Sequence, residues 1–253
     1  MDIANTTYSP FSNTVLTNDA VFEKLYLQLR QLEDRIYTDN EVALLPNIHP
    51  GHPHEKEWQI RNRSSEKMVK YLLKKNRPLE ILEIGCGNGW LSAKLSSVLA
   101  SHVTGIDINS MELSQAKRVF NKIRNLEFLN CSLQNELLKK HRFDIIVFAA
   151  SVQYFSSLQD ILKVAFSYLN PDGEVHIIDS PFYKPNEIAN ARQRSKVYYE
   201  MIGFPQMTAY YFHHSLEEIR SFDYKILYNP DSVFNNLKKN KNPFHWISIK
   251  KDA

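Results

Sequence analysis

The stretch that most constrains this chain is Glu80-Ile-Leu-Glu-Ile-Gly-Cys-Gly-Asn-Gly-Trp-Leu-Ser-Ala-Lys-Leu95. Its apolar run, Ile81, Leu82 and Ile84, predicts a buried parallel strand, and the residues after Gly89 predict an amphipathic helix. Three glycines in between allow a tight reversal and let a ligand approach bare backbone. The free N–H groups at the start of the following helix then offer donors to an anionic group. A strand, a glycine turn and a helix in that order predict a site for a nucleotide-like cofactor.

The dinucleotide-binding pattern Gly-x-Gly-x-x-Gly fails at its last position, where Trp90 stands. The pattern present is Glu83-x-Gly85-x-Gly87-x-Gly89, with an acid two residues before the first glycine. A carboxylate there repels a pyrophosphate but suits a zwitterionic amino acid joined to a sulfonium cation. The next strand, His102-Val-Thr-Gly-Ile-Asp-Ile108, carries Asp107 18 residues beyond Gly89. That offset is close to the roughly 20 residues typical of a ribose-binding acid, and a carboxylate accepts from both ribose hydroxyls at once. These residues resemble the class I S-adenosylmethionine-dependent methyltransferases, in particular their small-molecule-type branch. The resemblance covers roughly Lys67 to Asp179 and the closing strands around Tyr224–Leu227 and His245–Ile249.

The resemblance implies a doubly wound α/β fold with a seven-stranded Rossmann-like sheet whose last strand is antiparallel. It implies S-adenosylmethionine as cofactor, held by Glu83, Gly85, Cys86, Gly87, Asn88 and Gly89 of the turn and by Asp107 and Ile108. Ser132 and Leu133 fall where relatives embrace the adenine, and Ala149 and Ala150 end the fourth strand, Phe143–Ala150. The acid that relatives often place beside the adenine is absent at Ser132. A pair of histidines common after the fourth strand is replaced by Gln153-Tyr154. Arg61 and Arg63, on the helix before the domain, reach the cofactor's carboxylate or are ordinary surface arginines.

Composition bounds the remaining choices. With 253 residues, 43% of them hydrophobic and 23% charged, the chain suits one large soluble domain or a domain with an appendage. A net charge of +3 does not by itself point to nucleic acid, and the basic knots at Lys74–Arg77 and Lys238–Lys241 read as solvated turns. Two cysteines, Cys86 and Cys131, make no disulfide framework and suggest a reducing compartment. No apolar run reaches the ~18 residues of a membrane span, and the N-terminus has no signal-peptide pattern. A cytoplasmic protein without nucleic-acid or membrane partners is expected, with the oligomeric state left open.

Along the chain, residues 1–18 are polar, and helical periodicity starts at Asp19 with Val21, Phe22, Leu25, Leu27, Leu29 and Leu32, mostly on one broad face. His49, His52 and His54 lie among prolines with no acid or thiol partner in sequence, so they read as a surface loop rather than a metal site. A second helix is predicted from Glu55 to Lys75, and Ser110 is placed as the cap of a helix to about Ile123. Leu169-Asn-Pro-Asp-Gly173 reads as a turn before the fifth strand. The expected organisation is an N-terminal helical cap at 1–66 and a methyltransferase domain at 67–253. A lid insert at about 181–214 contains a helix from Asn186 to Met201.

Methyl transfer is an in-line displacement, and the protein mainly supplies alignment, with a base where the acceptor carries a proton. No Asn-Pro-Pro-Tyr or Asp-Pro-Pro-Tyr follows the fourth strand, no Pro-Cys nucleophile occurs, and no pair of metal-binding carboxylates is evident. A small-molecule O, N or C acceptor is therefore favoured over RNA or protein, with a non-catalytic S-adenosylmethionine-binding protein as the third reading. The candidate bases are His213 and His214, set before the capping-box sequence Ser215-Leu-Glu-Glu218, where a helix N-terminus favours the neutral imidazole. Their rival is Tyr154, whose hydroxyl can orient the acceptor. No metal is expected.

Overall fold

Alternation of short apolar runs with amphipathic segments is realised as a three-layer sandwich in the computed structural model, which describes residues 16–236 and 241–251. The helices are α1 (Leu16–Leu32), α2 (Asp39–Leu44), α3 (Glu55–Leu73), α4 (Trp90–Leu95), α5 (Ser110–Val119), α6 (Leu158–Ser167), α7 (Ile188–Met201) and α8 (Val233–Asn236). The strands are β1 (Glu80–Ile84), β2 (His102–Asp107), β3 (Leu126–Asn130), β4 (Phe143–Ala149), β5 (Leu169–Ile178), β6 (Phe182–Tyr183), β7 (His214–Ser215), β8 (Asp223–Tyr228) and β9 (Trp246–Lys250). The main sheet has seven strands in the order β3-β2-β1-β4-β5-β9-β8. β1 to β5 run parallel, and β9 is antiparallel to both of its neighbours. The expected sheet, with its last strand reversed, is the one observed.

Strands buried on both sides read as continuous apolar runs because each face meets helices. On one face Ile81, Ile145 and Val147 pack with Trp58, Met68 and Leu72 of α3 and with Leu91 and Leu95 of α4. On the other, Leu82, Ile146 and Phe148 meet Leu158, Ile161, Leu162 and Ala165 of α6. Because α3 runs unbroken through residue 66 and buries Met68 and Leu72, the expected boundary there divides one helix. Among the described residues, no helix is long and apolar enough to cross a membrane.

Local signals were displaced in several places. α5 is capped by Asn109, whose side chain accepts from Glu112 N, and Ser110 is its first residue. The segment 169–173 lies within β5 as an irregularity, with the register shifting between Phe143 and Ile145 and Asp172 at φ 63°. α2 was not foreseen; Thr38 and Glu41 form its capping box. Of the Lys knots, Lys75 pairs with Glu174 and Arg77 with Asp144, while residues 238–240, like residues 1–15, lie outside the described residues.

The segment between β5 and β8 leaves the carboxyl edge of the sheet and returns to its own starting point. β6 and β7 pair in parallel, Phe182 with His214 and Tyr183 with Ser215, so both feet of the insert are joined. Between them α7 and the 3-10 turn Pro205–Ala209 pack Tyr199 and Met207 against Leu29, with Phe22 and Leu25 of α1 at the edge of that cluster. The N-terminal helix and the insert therefore support each other over the sheet edge.

Gly89 sets how closely α4 can follow β1. It has φ 76°, and a Cβ on it would lie 2.5 Å from the Phe128 ring and 2.8 Å from Ala116 Cβ. Gly89→Ala is expected to cost about 2–4 kcal/mol, from left-handed backbone strain and overpacking together. Denaturant unfolding checks it, and a variant as stable as the parent would show that the turn relaxes freely.

Candidate functional site

The site is built where β1 and β2 end side by side. Gly85 N and Cys86 N both donate to Ile106 O, at 2.9 and 3.0 Å. Gly87 N donates to Asp107 Oδ2 at 2.7 Å, and Asn109 N donates to Oδ1 at 2.8 Å. Asp107 thereby fastens the tip of the glycine turn to the end of β2. Burial pushes its carboxyl up, and the N–H groups of Asn109 and Gly87 oppose that shift. Gly87 stands at φ 51°, and a Cβ there would come within 3.3 Å of Glu112 Oε2. Glu112 is itself pushed up to about 7 by burial, with Arg30 pulling the other way.

A cavity of about 500 Å³ opens at this edge. Of the residues expected to hold a cofactor, Gly85, Gly87, Asp107, Ile108, Ser132, Leu133 and Ala150 line it. The others do not. Glu83 is turned inward beneath the turn, 2% exposed, where Ser92 Oγ donates to it at 2.5 Å. Burial pushes the Glu83 carboxyl up to about 8, against the Ser92 hydrogen bond. Cys86 packs with Leu113, Ala116 and Phe128, Gly89 faces the same aromatic ring, and Ala149 packs on the α3–α4 side of the sheet. Asn88 faces a separate cleft beside Arg30 and Glu112. An alternating strand and a reversing turn can present only part of their residues to one side.

The expected lid insert does reach the cavity, while the wall from α1 is one that the sequence did not place there. Phe22 and Tyr26 of α1, and Tyr210 and Phe212 of the insert, close it above the sheet edge. Phe22 lies 5.4 Å from Tyr210 and 5.4 Å from Tyr154, and Tyr26 lies 5.7 Å from Tyr154, ring centre to ring centre. Phe22, Tyr26 and Arg30 recur every fourth residue and so share a helix face, which was the available signal. Glu23 accepts from Ser110 N and Ser110 Oγ at 2.7 and 2.6 Å, tying α1 to the start of α5.

Tyr154 lines the cavity as expected of a residue just past β4. Burial raises its phenol above the ordinary range, which favours the protonated form. The two histidines are elsewhere. His213 and His214 are buried and neither lines the cavity. His214 Nε2 faces Val152 O at 3.1 Å and Phe155 O at 3.0 Å, while Nδ1 faces Glu218 Oε2 at 3.1 Å. Both nitrogens are taken up by oxygen partners and the ring does not line the cavity, so His214 is not placed to take an acceptor's proton. His213 Nε2 lies 2.9 Å from Ser195 Oγ, and burial lowers its pKa. The capping box at Ser215 forms, but it starts only the single 3-10 turn Leu216–Ile219, too short to carry the helix-dipole argument made for these histidines.

Arg61 does not line the cavity; it pairs with Glu57 at 2.8 Å and lies over the Trp58 ring. Arg63 does not line it either, and its Nε is buried without a partner. His49 and His52 do have an acid nearby, Glu41, so the sequence expectation that they lack one is corrected. That carboxylate is engaged by the Thr38 cap, and His52 Nδ1 accepts from His54 N.

Residues 81–173 match the family described as Methyltransferase domain. Over 96 residues the chain is 31% identical to a malonyl-[acyl-carrier protein] O-methyltransferase of Bacillus cereus, covering 38% of this chain and 35% of that one. Over 94 residues it is 35% identical to a release factor glutamine methyltransferase of Fusobacterium nucleatum, covering 35% and 27%. The solved structure of magnesium protoporphyrin IX methyltransferase from Synechocystis, with bound S-adenosylmethionine, superposes with a TM-score of 0.60 at 12% identity, covering 95% of this chain and all of that one. The sheet order, the glycine turn and these matches define a class I methyltransferase domain. That class is shown for the domain around residues 81–173, and the chain spans about a third of the length of the curated relatives it matches.

Two outcomes follow from the buried groups. An unfolded glutamate ionises above its ordinary 4.5, but Glu83 in the fold ionises only above about 8. Between those values the folded state holds a proton that the unfolded chain has lost, so rising pH weakens the fold. Glu83→Gln should therefore gain stability relative to the parent as pH rises through that window; thermal unfolding with an unchanging difference would contradict it. His214→Ala leaves two carbonyls and a carboxylate without their partner and is expected to cost about 1–3 kcal/mol in urea unfolding. A variant with parental stability but lost turnover would restore His214 as a catalytic group.

Proposed function

We propose that this protein is an S-adenosylmethionine-dependent methyltransferase that transfers a methyl group to a small-molecule O, N or C acceptor by in-line displacement. The observation that carries it is the cavity of about 500 Å³ at the carboxyl edge of β1 and β2, with Asp107 on its wall and aromatic rings closing it. The donor set fits the cofactor. Asp107 supplies a carboxylate for a ribose diol, Ile108 and Leu133 supply apolar surface for a purine, and the glycine turn brings bare backbone to the cavity. Bound there, S-adenosylmethionine supplies an electrophilic methyl on a sulfonium centre.

The chain's own residues orient and dry the site. Phe22, Tyr26, Tyr154, Tyr210 and Phe212 exclude water, so charge lost in the transition state is not held back by solvation. Tyr154, protonated, can donate to the acceptor and hold it in line as a positioning group. The closure by α1 and the insert favours a small acceptor, because a folded RNA or protein would have to part those elements. We read the segment before α3 and the insert at 181–214 as the acceptor-facing cap, and the free buried thiols Cys86 and Cys131 fit a reducing, cytoplasmic setting.

Removing the Asp107 carboxylate deletes hydrogen bonds to a charged group, each worth roughly 1.5–3 kcal/mol. Asp107→Ala is expected to bind S-adenosylhomocysteine at least about tenfold more weakly in calorimetry. Unchanged affinity would remove Asp107 from the site. Methyl-labelled cofactor incubated with metabolite, RNA and protein fractions tests the acceptor class; label entering only the macromolecules would overturn the small-molecule reading.

A further inference from the structure

Tyr154 also borders a second cavity of about 420 Å³, set between α1, the start of α3 and α7. Its charges are unbalanced in a particular way. Glu57 is committed to Arg35 at 2.7 Å and to Arg61 at 2.8 Å, and Glu33 to Arg35 at 3.2 Å and to the Tyr198 hydroxyl at 2.5 Å. Both acids on this wall are thus already satisfied. Arg30 and Arg194, on the same wall, have no carboxylate partner among the described residues. Arg30 stacks near the Tyr26 ring, and its Nε is buried with no hydrogen-bond partner. Glu112 acts on Arg30 electrostatically but forms no ion pair with it.

Tyr199 and Tyr211 also line this space, and their hydroxyls make no hydrogen bond with any described residue. Burial raises both phenols, so they stay protonated. Two guanidinium groups and two phenols therefore face a cavity whose carboxylates are spoken for. Planar guanidinium forks with hydroxyl donors match the oxygens of a carboxylate or phosphate, and such bonds strengthen away from bulk water. An orphaned buried donor is costly unless a ligand meets it.

We propose that this second cavity binds the acid group, carboxylate or phosphate, of the methyl acceptor, which is therefore an anionic small molecule reaching toward Tyr154. The inference rests on the methyltransferase reading and adds the acceptor's charge. Arg194 and Arg30 clamp the acid, Tyr199 and Tyr211 complete the donor set, and Tyr154, the wall common to both cavities, lies between the acid and the reacting end.

The test is calorimetry on the full chain saturated with S-adenosylhomocysteine, with benzoate, phenyl phosphate and benzyl alcohol as probes. The acids are expected to bind and the alcohol not. Arg194→Gln, an exposed change on α7 that leaves the core intact, should weaken the acids at least about tenfold, the loss of one charged hydrogen bond. S-Adenosylhomocysteine affinity should stay unchanged. Equal binding of the alcohol, no binding of either acid, or acid binding indifferent to Arg194→Gln would overturn the proposal. So would an Arg194→Gln protein that loses affinity for S-adenosylhomocysteine but not for 5′-methylthioadenosine, which lacks the amino-acid carboxylate, since the cavity would then serve the cofactor. Failure of the unaltered protein to bind S-adenosylhomocysteine would sink the methyltransferase reading itself, and with it any acceptor.

Discussion

The bond on which the site depends is the one from Gly87 N to Asp107 Oδ2. One carboxylate joins the tip of the turn after β1 to the end of β2, and its second oxygen takes Asn109 N at the start of α5. Three elements that are distant in sequence are thereby fixed at one point of the sheet edge. The turn can come that close only because residue 87 has no side chain, and α4 can follow it only because residue 89 has none. Each remaining feature of the cavity is placed relative to this knot.

Around it the protein gathers Glu83, Asp107 and Glu112 in a region where burial dominates their ionisation. Three carboxyls so placed cannot all be charged without mutual penalty. Inward-facing Glu83 takes a hydroxyl donor and a raised pKa, while Asp107 takes backbone donors. The division is set by position: Glu83 lies within β1 and faces α4, whereas Asp107 ends β2 where N–H groups are available. An acid of the glycine pattern thus serves the turn from beneath, and the acid at the next strand's end faces the cavity.

What was legible in the sequence follows the range of the interactions. The runs at Ile81–Ile84, Phe143–Ala149 and Trp246–Ile249 announced strands because burial on both faces leaves a continuous apolar signature. The Glu218 side chain does bond Ser215 N, as its three-residue spacing required. Yet the same signal could not say that the turn it starts is short, or that His214 beside it would spend its ring on the carbonyls of Val152 and Phe155. Those partners lie 62 and 59 residues away, and no local pattern encodes them. Phe22, Tyr26 and Arg30 share one helix face by their spacing, but which wall that face would cover depended on the insert that begins about 150 residues later.

That dependence bears on how the site can change. β1, the glycine turn and β2 hold their geometry through backbone bonds and a core packed on both sides of the sheet. The roof, by contrast, is made of side chains from α1 and the insert, resting on Leu29, Tyr199 and Met207. The Glu23–Ser110 bonds and the β6–β7 pair tether these elements at their edges without burying them in the main core. Opening the roof costs contacts in that small cluster rather than in the sheet, so a ligand can enter without disturbing the knot at Asp107. Under the proposed function, substitutions in Phe22, Tyr26 or Tyr210 reshape the acceptor's surroundings while leaving the turn as it stands. The fold thus separates a rigid cofactor edge from an adaptable cover, which is why the glycine turn can be read from sequence and the acceptor has to be read from the cover's side chains.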